Sequence, residues 1–196
     1  MGISKSVHYV LHKLGLPQIS NELLSKFIGP PIYESFNQYC GLNGDTLTYA
    51  TELFRTVYKE SYLFDAVPYE KIESLLSALK SKKFQLAVAT NKRIDYAKNL
   101  LDHFRLAPYF ETIQGSDFEN KKTKPDIISC AMRALHTGAI GTVMVGDTVG
   151  DLSGAHSNRI SFLAVTYGFG FKGVSEAVEQ GAIFAAYSPS DLQNYL

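Results

Sequence analysis

From residue 84 onward, short apolar runs alternate with segments of helical periodicity, and this alternation is the strongest constraint on the fold. The runs at residues 84–89, 142–145 and 161–166 have the length and apolar character of buried strands. Strands that alternate with helices build a parallel sheet covered on both faces. The sequence therefore predicts an α/β core over residues 66–196, with a doubly wound, Rossmann-like parallel sheet.

Residues 1–65 show helical patterns and no strand. Val7, Val10 and Leu11 recur at helical spacing, and shorter helices are predicted at residues 19–27 and 33–39. Asp45 is predicted to be the N-cap of a longer fourth helix. We expect an all-helical domain over residues 1–65, separate from the α/β core.

The composition excludes several classes of partner. Lys+Arg and Asp+Glu both number 19, so the net charge is zero and no overall field favours nucleic acid or a membrane surface. No apolar run approaches the roughly 20 residues of a membrane span. Cys40 and Cys130 form no disulfide framework, and we expect both to be small buried residues in a reducing compartment. The expected location is cytoplasmic, with the protein a monomer or a homodimer.

Two carboxylates follow the apolar run at residues 142–145. Asp147 and Asp151 are four residues apart, so they share one side of the first turn of the helix that follows. Mg²⁺ prefers oxygen ligands and needs only one or two protein carboxylates when phosphate and water complete its shell. The pair predicts a Mg²⁺ site, and the alternative is that both residues only cap the helix.

Three more polar residues are expected near strand ends. Thr90 and Asn91 follow the run at residues 84–89 and suit phosphate binding, although residues of these types at such a position are more often ordinary N-caps. Lys124 precedes Pro125, the predicted first residue of a helix, where a positive charge opposes the helix dipole. It is either a cation that neutralises a phosphoryl group or one solvated lysine of the basic run at residues 121–124.

In this order, these residues resemble the motifs of the haloacid dehalogenase-like hydrolase superfamily, and its branch of phosphoglycolate phosphatases and 5′-nucleotidase-like enzymes in particular. The resemblance implies that Thr90 binds the phosphoryl group, with Asn91 beside it, and that Lys124 stabilises charge on the nucleophile and the phosphate. It implies that Asp147 is a Mg²⁺ ligand and that Asp151 supports or completes the metal site. The expected substrate is a small phosphorylated metabolite, hydrolysed through an aspartyl-phosphate.

The resemblance also gives the helical block a role. It would be the cap domain, with Gly29 and Pro30 in the segment that lies over the active site and contacts the substrate. Without the resemblance, these two residues are an ordinary helix stop. Residues 167–170, Tyr-Gly-Phe-Gly, resemble the loop after the strand that follows the last motif.

One family motif has no counterpart in the sequence. The family's first strand ends in Asp-x-Asp-x-Thr, which supplies the nucleophile, the general acid/base and a further metal ligand, and the 196 residues contain no such motif. We therefore expect the first core strand to be missing from the sheet and this polypeptide to be inactive. A late start codon, a gene shortened by mutation or a genuine non-catalytic relative would each explain this.

Two other functions fit parts of the pattern. A binding or regulatory protein would keep the metal and phosphate subsites without turnover. A receiver domain of a signalling protein also places carboxylates, a Thr and a Lys at strand ends, but the helical block and the chain length argue against it.

Overall fold

The chain divides into two compact units. The computed structural model describes residues 2–118 and 121–196, and its units are Met1–Val67 and Pro68–Leu196. This division lies close to the boundary predicted between residues 65 and 66. The cap role of the first unit stays a prediction.

The described part of the first unit is helical. Apolar residues at helical spacing, such as Val7, Val10 and Leu11, are fully or almost fully buried in its core. The predicted cap at Asp45 is wrong, because Asn43 is the N-cap and Asp45 lies in the first turn of the helix. The helices are α1 (Gly2–Lys13), α2 (Asn21–Ser25), α3 (Ile32–Cys40) and α4 (Gly44–Val57), followed by a π-helical turn (Tyr58–Tyr62).

The second unit has the predicted alternation of strands and helices, and the parallel α/β class is confirmed. No helix among residues 2–118 and 121–196 is long and apolar enough to cross a bilayer. The elements are α5 (Ile72–Ser81), β1 (Ala87–Arg93), α6 (Ile94–His103), a 3₁₀ turn (Ala107–Tyr109), β2 (Thr112–Ser116), α7 (Lys124–Ala134), β3 (Val143–Gly146), α8 (Val149–Ser157), β4 (Ser161–Val165), α9 (Val174–Glu179), β5 (Phe184–Ala186) and α10 (Pro189–Tyr195).

The strands form two parallel sheets. β1 pairs with β2 from Ala87 opposite Thr112, and β4 lies between β3 and β5. Among the described residues, no hydrogen-bond ladder joins β1 to β3. Within the described residues, β1 therefore has no paired strand on the side away from β2, and β3 has none on the side away from β4.

Burial follows this division. In β4, Phe162, Leu163 and Ala164 are fully buried. Phe162 and Ala164 pack in a core cluster with α8, whereas Leu163 packs in a second cluster with α5 and α10. Every residue of β1 and β3 is at least partly exposed, although both strands carry mostly small and apolar side chains at their N-terminal ends. β1 and β3, which belong to different sheets, are therefore the least buried strands of the second unit.

The first strand begins later than predicted. Lys83 has a φ of 67°, and the Phe84 N–H donates to the Leu79 carbonyl at 3.0 Å, so both residues terminate α5. β1 starts at Ala87 and continues through Thr90 to Arg93, with a register irregularity between Thr90 and Arg93.

Candidate functional site

Polar side chains gather where β1 and β3 end and where α7 and α8 begin. Asp147 directly follows β3, Asp151 lies in the first turn of α8, and Lys124 is the first residue of α7. Helix N-termini also direct unpaired N–H groups towards such an edge, which favours anions.

Lys124 is held by two oxygen atoms. Its Nζ lies 2.6 Å from Asp151 Oδ1 and donates to the Ala89 carbonyl oxygen at 2.8 Å. Its side chain is only 11% exposed, so the interpretation as a solvated member of the basic run is wrong. The ion pair offsets the unfavourable position of a cation at the start of α7.

Asp151 accepts hydrogen bonds through its other oxygen. Oδ2 accepts from Thr148 Oγ1 at 2.8 Å, from the Thr148 N–H at 3.1 Å and from the Asp147 N–H at 3.2 Å. Thr148 is the N-cap of α8 and forms a capping box with Asp151. Asp151 therefore does cap the helix, and it also positions Lys124.

Asp147 has a different environment. Its Oδ2 accepts from the Phe169 N–H at 2.7 Å, while Oδ1 accepts no hydrogen bond from the described residues. Burial raises the pKa of Asp147 above its usual range, and the nearby charge of Asp151 adds to the effect. The interpretation of Asp147 as only a helix cap is wrong, because Thr148 holds that position.

Two glycines allow this close packing. A Cβ on Gly168 would lie 2.6 Å from Asp147 Cγ, and a Cβ on Gly146 would lie 2.7 Å from Asp151 Cγ. Both distances are too short for a real side chain, so each glycine is required by the carboxylate beside it. The loop at residues 167–170 thus contributes to the site through its backbone.

Thr90 and Asn91 lie within β1, and the N-cap of α6 is Arg93. The alternative that they are N-cap residues is therefore wrong. Thr90 Oγ1 accepts from the Lys92 N–H at 3.1 Å, so its hydroxyl proton remains available for another acceptor. Thr90 also follows Ala89, whose carbonyl binds Lys124.

Sequence reasoning missed several neighbours of Asp147. Tyr69 and Tyr167 pack edge to face with ring centroids 4.9 Å apart, and burial is the main cause that raises the pKa of both phenols. The charge of Asp147 adds to the effect, and the pKa of Tyr167 is raised to about 12. Thr148 was also missed, although a Thr three residues before an acid is the sequence signal of a capping box.

The remaining predicted residues are Gly29, Pro30 and the two cysteines. Gly29 and Pro30 are exposed residues between α2 and α3 of the first unit, and their substrate-binding role stays a prediction. Cys40 and Cys130 are half-buried free thiols, which corrects the expectation that both are buried.

The residues at β3 suit Mg²⁺. Within residues 2–118 and 121–196, no three His, Cys, Asp or Glu side chains gather as a metal-binding group. Mg²⁺ does not require such a group, because it is commonly held by one or two carboxylates together with water and phosphate. Asp147 Oδ1 is the free carboxylate oxygen in this arrangement, whereas both oxygens of Asp151 already have partners.

The second unit is a parallel α/β unit with Asp147, Asp151 and Lys124 near its strand ends, which is the arrangement of an α/β protein that binds a ligand at the carboxyl edge of its sheet. The sequence profile of the haloacid dehalogenase-like hydrolase family matches residues 1–165. The chain belongs to this family, and the resemblance seen in the sequence is confirmed.

Curated relatives have more than one activity. The chain is 31% identical over 170 residues to a 5′-nucleotidase of Pseudomonas aeruginosa, covering 86% of this chain and 77% of that protein. It is 30% identical to a phosphoglycolate phosphatase of Aquifex aeolicus, covering 97% and 86%. It is also 30% identical to the tyrosine-protein kinase PtkA of Mycobacterium tuberculosis, where the match covers 86% of this chain but only 58% of the kinase.

A solved structure supports the fold. The crystal structure of a predicted phosphatase from Clostridium acetobutylicum superposes with a TM-score of 0.92 at 38% identity. The alignment covers 99% of this chain and 89% of that one.

The pair of Lys124 and Asp151 is testable by mutation. Changing Lys124→Met leaves a nearly buried carboxylate without its cation, and we expect a loss of about 3–5 kcal/mol in the free energy of unfolding. The double variant Lys124→Met/Asp151→Asn should lose less than the sum of the two single changes, by about 1–3 kcal/mol. Urea unfolding followed by circular dichroism measures these values.

The matched control for this cycle is Lys122→Met, at an exposed position in the same basic run. It should change stability by no more than about 0.5 kcal/mol. Additive effects of Lys124→Met and Asp151→Asn would show that the ion pair has no energetic role.

The raised pKa of Asp147 predicts a pH dependence of stability. A carboxyl with a raised pKa binds its proton more tightly in the folded state, so its contribution is favourable at low pH and is lost as pH rises through the folded pKa. Without metal, wild type should therefore lose stability relative to Asp147→Asn as pH rises from about 4 towards 7. Urea unfolding across this range measures the difference.

The variant Asp102→Asn removes one negative charge at an exposed position and controls for the change in net charge. A wild-type advantage that grows with pH would mean that Asp147 is stabilised as the ion.

Proposed function

We propose that this chain carries the phosphate- and metal-binding site of a phosphatase that acts on small phosphomonoesters, such as phosphoglycolate or a nucleotide. The main support is the fixed position of Lys124 Nζ, between Asp151 Oδ1 and the Ala89 carbonyl, at the edge where Asp147 also lies. The relatives named as phosphoglycolate phosphatase and 5′-nucleotidase support the substrate class.

The proposed roles follow from the contacts. The Thr90 hydroxyl donates to a phosphate oxygen, because its Oγ1 accepts from the Lys92 N–H and that bond leaves the hydroxyl proton unused. Asn91 lies next to it on β1 and adds a polar contact. Lys124 neutralises phosphate charge from a position that does not have to reorganise, which is the most effective form of electrostatic stabilisation.

The metal proposal assigns Mg²⁺ to Asp147 through its free Oδ1, with Asp151 supporting the site by holding Lys124 and the turn at residues 146–148. When bound, Mg²⁺ supplies positive charge that offsets the charge of the phosphoryl group. Such a ligand also removes the electrostatic cost of ionised Asp147 beside Asp151.

Turnover requires an attacking group in addition to these residues. In a complete family member, a carboxylate attacks phosphorus, the alcohol leaves, and water then hydrolyses the aspartyl-phosphate. The 196 residues contain no Asp-x-Asp motif, and both oxygens of Asp151 are engaged. We propose that this polypeptide alone binds Mg²⁺ and phosphate but does not hydrolyse phosphomonoesters, so that by itself it behaves as a binding protein.

Calorimetry with Mg²⁺ followed by inorganic phosphate tests the proposal. We expect phosphate binding that depends on Mg²⁺. Asp147→Asn should weaken Mg²⁺ binding at least about 10-fold, as expected for a lost ligand. Thr90→Val should weaken phosphate binding by roughly 10- to 100-fold, the value of one hydrogen bond to a charged group.

The controls are Asp102→Asn and Thr56→Val, which make the same changes at exposed helical positions. A parallel assay with an aryl phosphate and Mg²⁺ measures turnover. Hydrolysis that disappears in Asp147→Asn would show that another residue of this chain serves as the nucleophile. If phosphate binds neither with nor without Mg²⁺, the proposed phosphate site is wrong.

A further inference from the structure

Phe118 is an exposed aromatic residue close to the carboxyl ends of β1 and β2. It is 63% exposed and follows Ser116, the last residue of β2, by two positions. Ser116 lies opposite Arg93 of β1, and Gly115 lies opposite Thr90, the proposed phosphate-binding residue. Phe118 therefore belongs to the same edge of the sheet as the proposed phosphate site.

Arg93 contacts two aromatic rings at once. Its guanidinium carbon Cζ lies over the Phe118 ring, 4.8 Å from the ring centre, and over the Tyr96 ring, 4.0 Å from the ring centre. Such contacts are attractive, because an aromatic face carries negative electrostatic potential. Tyr96 is buried, so it anchors Arg93 to the protein interior. Arg93 in turn covers one face of the Phe118 ring, and the exposed surface of Phe118 is the rest of the ring.

Two further features fix the position of Arg93. Its Nε and Nη2 donate to the two carboxylate oxygens of Asp95 at 2.6 and 2.7 Å, and this bidentate pair sets the plane of the guanidinium. A Cβ on Gly115 would lie 2.6 Å from the Lys92 carbonyl oxygen and 2.8 Å from Ile94 Cα. The backbone on both sides of Arg93 therefore packs directly against β2. The aromatic ring above Arg93 is thus preorganised, which lowers the entropy cost of binding a ligand.

We propose that the exposed face of Phe118 is a subsite for a nucleobase, so that the phosphomonoester bound by this chain is a nucleoside monophosphate. Stacking on an aromatic side chain accepts any base, because every base has a π-face. Phe118 is then a specificity-determining residue, and Arg93 is a positioning residue that acts through it. The base subsite stands on the contacts of Phe118, whereas the phosphate end of the ligand rests on the proposed function.

The spacing along β1 favours a ligand whose ring is separated from its phosphate. Arg93 is three residues beyond Thr90, a distance of up to about 10 Å along an extended strand. A nucleoside monophosphate has a ribose between phosphate and base, so it can reach Thr90 and Phe118 together. Phosphoglycolate has no aromatic group, and the ring of phenyl phosphate is bonded directly to a phosphate oxygen.

Calorimetry with two matched ligands in the presence of Mg²⁺ tests the proposal. AMP and ribose 5-phosphate have the same phosphate and sugar, and only AMP has a base. AMP should bind the wild-type chain about 5- to 100-fold more tightly, as expected for one stacked base. Phe118→Leu should reduce the affinity for AMP to that for ribose 5-phosphate. Phe118→Tyr should keep the preference, because a phenol ring also stacks on a base.

The matched control is Tyr187→Leu, which removes a ring that is 70% exposed between β5 and α10. It should leave both affinities unchanged. Equal binding of AMP and ribose 5-phosphate by the wild-type chain overturns the proposal. A preference for AMP that survives in Phe118→Leu also overturns it, because another residue would then contact the base.

The positioning role of Arg93 has its own readout. Arg93→Met should weaken the binding of AMP and leave that of ribose 5-phosphate within about 2-fold, and Arg93→Lys should recover part of the loss because a cation remains near the ring. A merely structural role would weaken both ligands. Equal losses for AMP and ribose 5-phosphate in Arg93→Met would therefore contradict the positioning role.

Phenyl phosphate distinguishes a nucleobase from a ring bonded directly to the phosphate. It should bind the wild-type chain and Phe118→Leu with equal affinity, because its ring stays beside the phosphate. A loss in Phe118→Leu as large as the loss for AMP would overturn the assignment to a nucleobase.

A nucleoside without phosphate separates this proposal from the proposed function. The probe is 2-aminopurine riboside, whose fluorescence falls when its base stacks on an aromatic ring. Wild type should quench this fluorescence more strongly than Phe118→Leu. If inorganic phosphate does not bind, quenching that depends on Phe118 supports the base subsite while the proposed function fails. In that case, quenching that is absent or equal in the two proteins overturns the base subsite as well.

Discussion

The contact between Lys124 and Asp151 is the interaction on which the site depends. It joins the first turn of α7 to the first turn of α8, and the same ammonium binds the Ala89 carbonyl of β1. β1 and β3 share no ladder in the described residues, so this small network links the carboxyl ends of the two sheets. A nearly buried ion pair costs desolvation, and its value here lies in fixed geometry more than in net stability.

The network also explains why Asp147 and Asp151 have different roles. Asp151 is saturated by Lys124, Thr148 and backbone N–H groups, which fixes its position. Asp147 has one oxygen without a hydrogen bond from the described residues, and burial raises its pKa, so a bound cation would stabilise its ionised form. Two acids four residues apart in sequence have therefore become a positioning residue and a candidate metal ligand.

The sequence predicted most of the fold because local patterns determine it. The helix predicted after the apolar run at residues 142–145 is present as α8, since an apolar strand and a glycine turn precede it. The start of β1 was misplaced, because pairing with β2 begins at Ala87 and α5 uses Phe84 for its termination. The contacts of Phe169 and of the Ala89 carbonyl with the site come from loop and backbone geometry that no residue pattern encodes.

We propose that a divalent metal binds at Asp147 while Lys124 stays paired with Asp151. Crystals soaked in Mn²⁺ and inorganic phosphate test it directly, because Mn²⁺ accepts the same oxygen ligands and gives an anomalous signal. We expect one anomalous peak at bonding distance from Asp147 Oδ1, with phosphate beside Lys124 and Thr90. A peak elsewhere, or a metal that displaces Lys124 from Asp151, would contradict it.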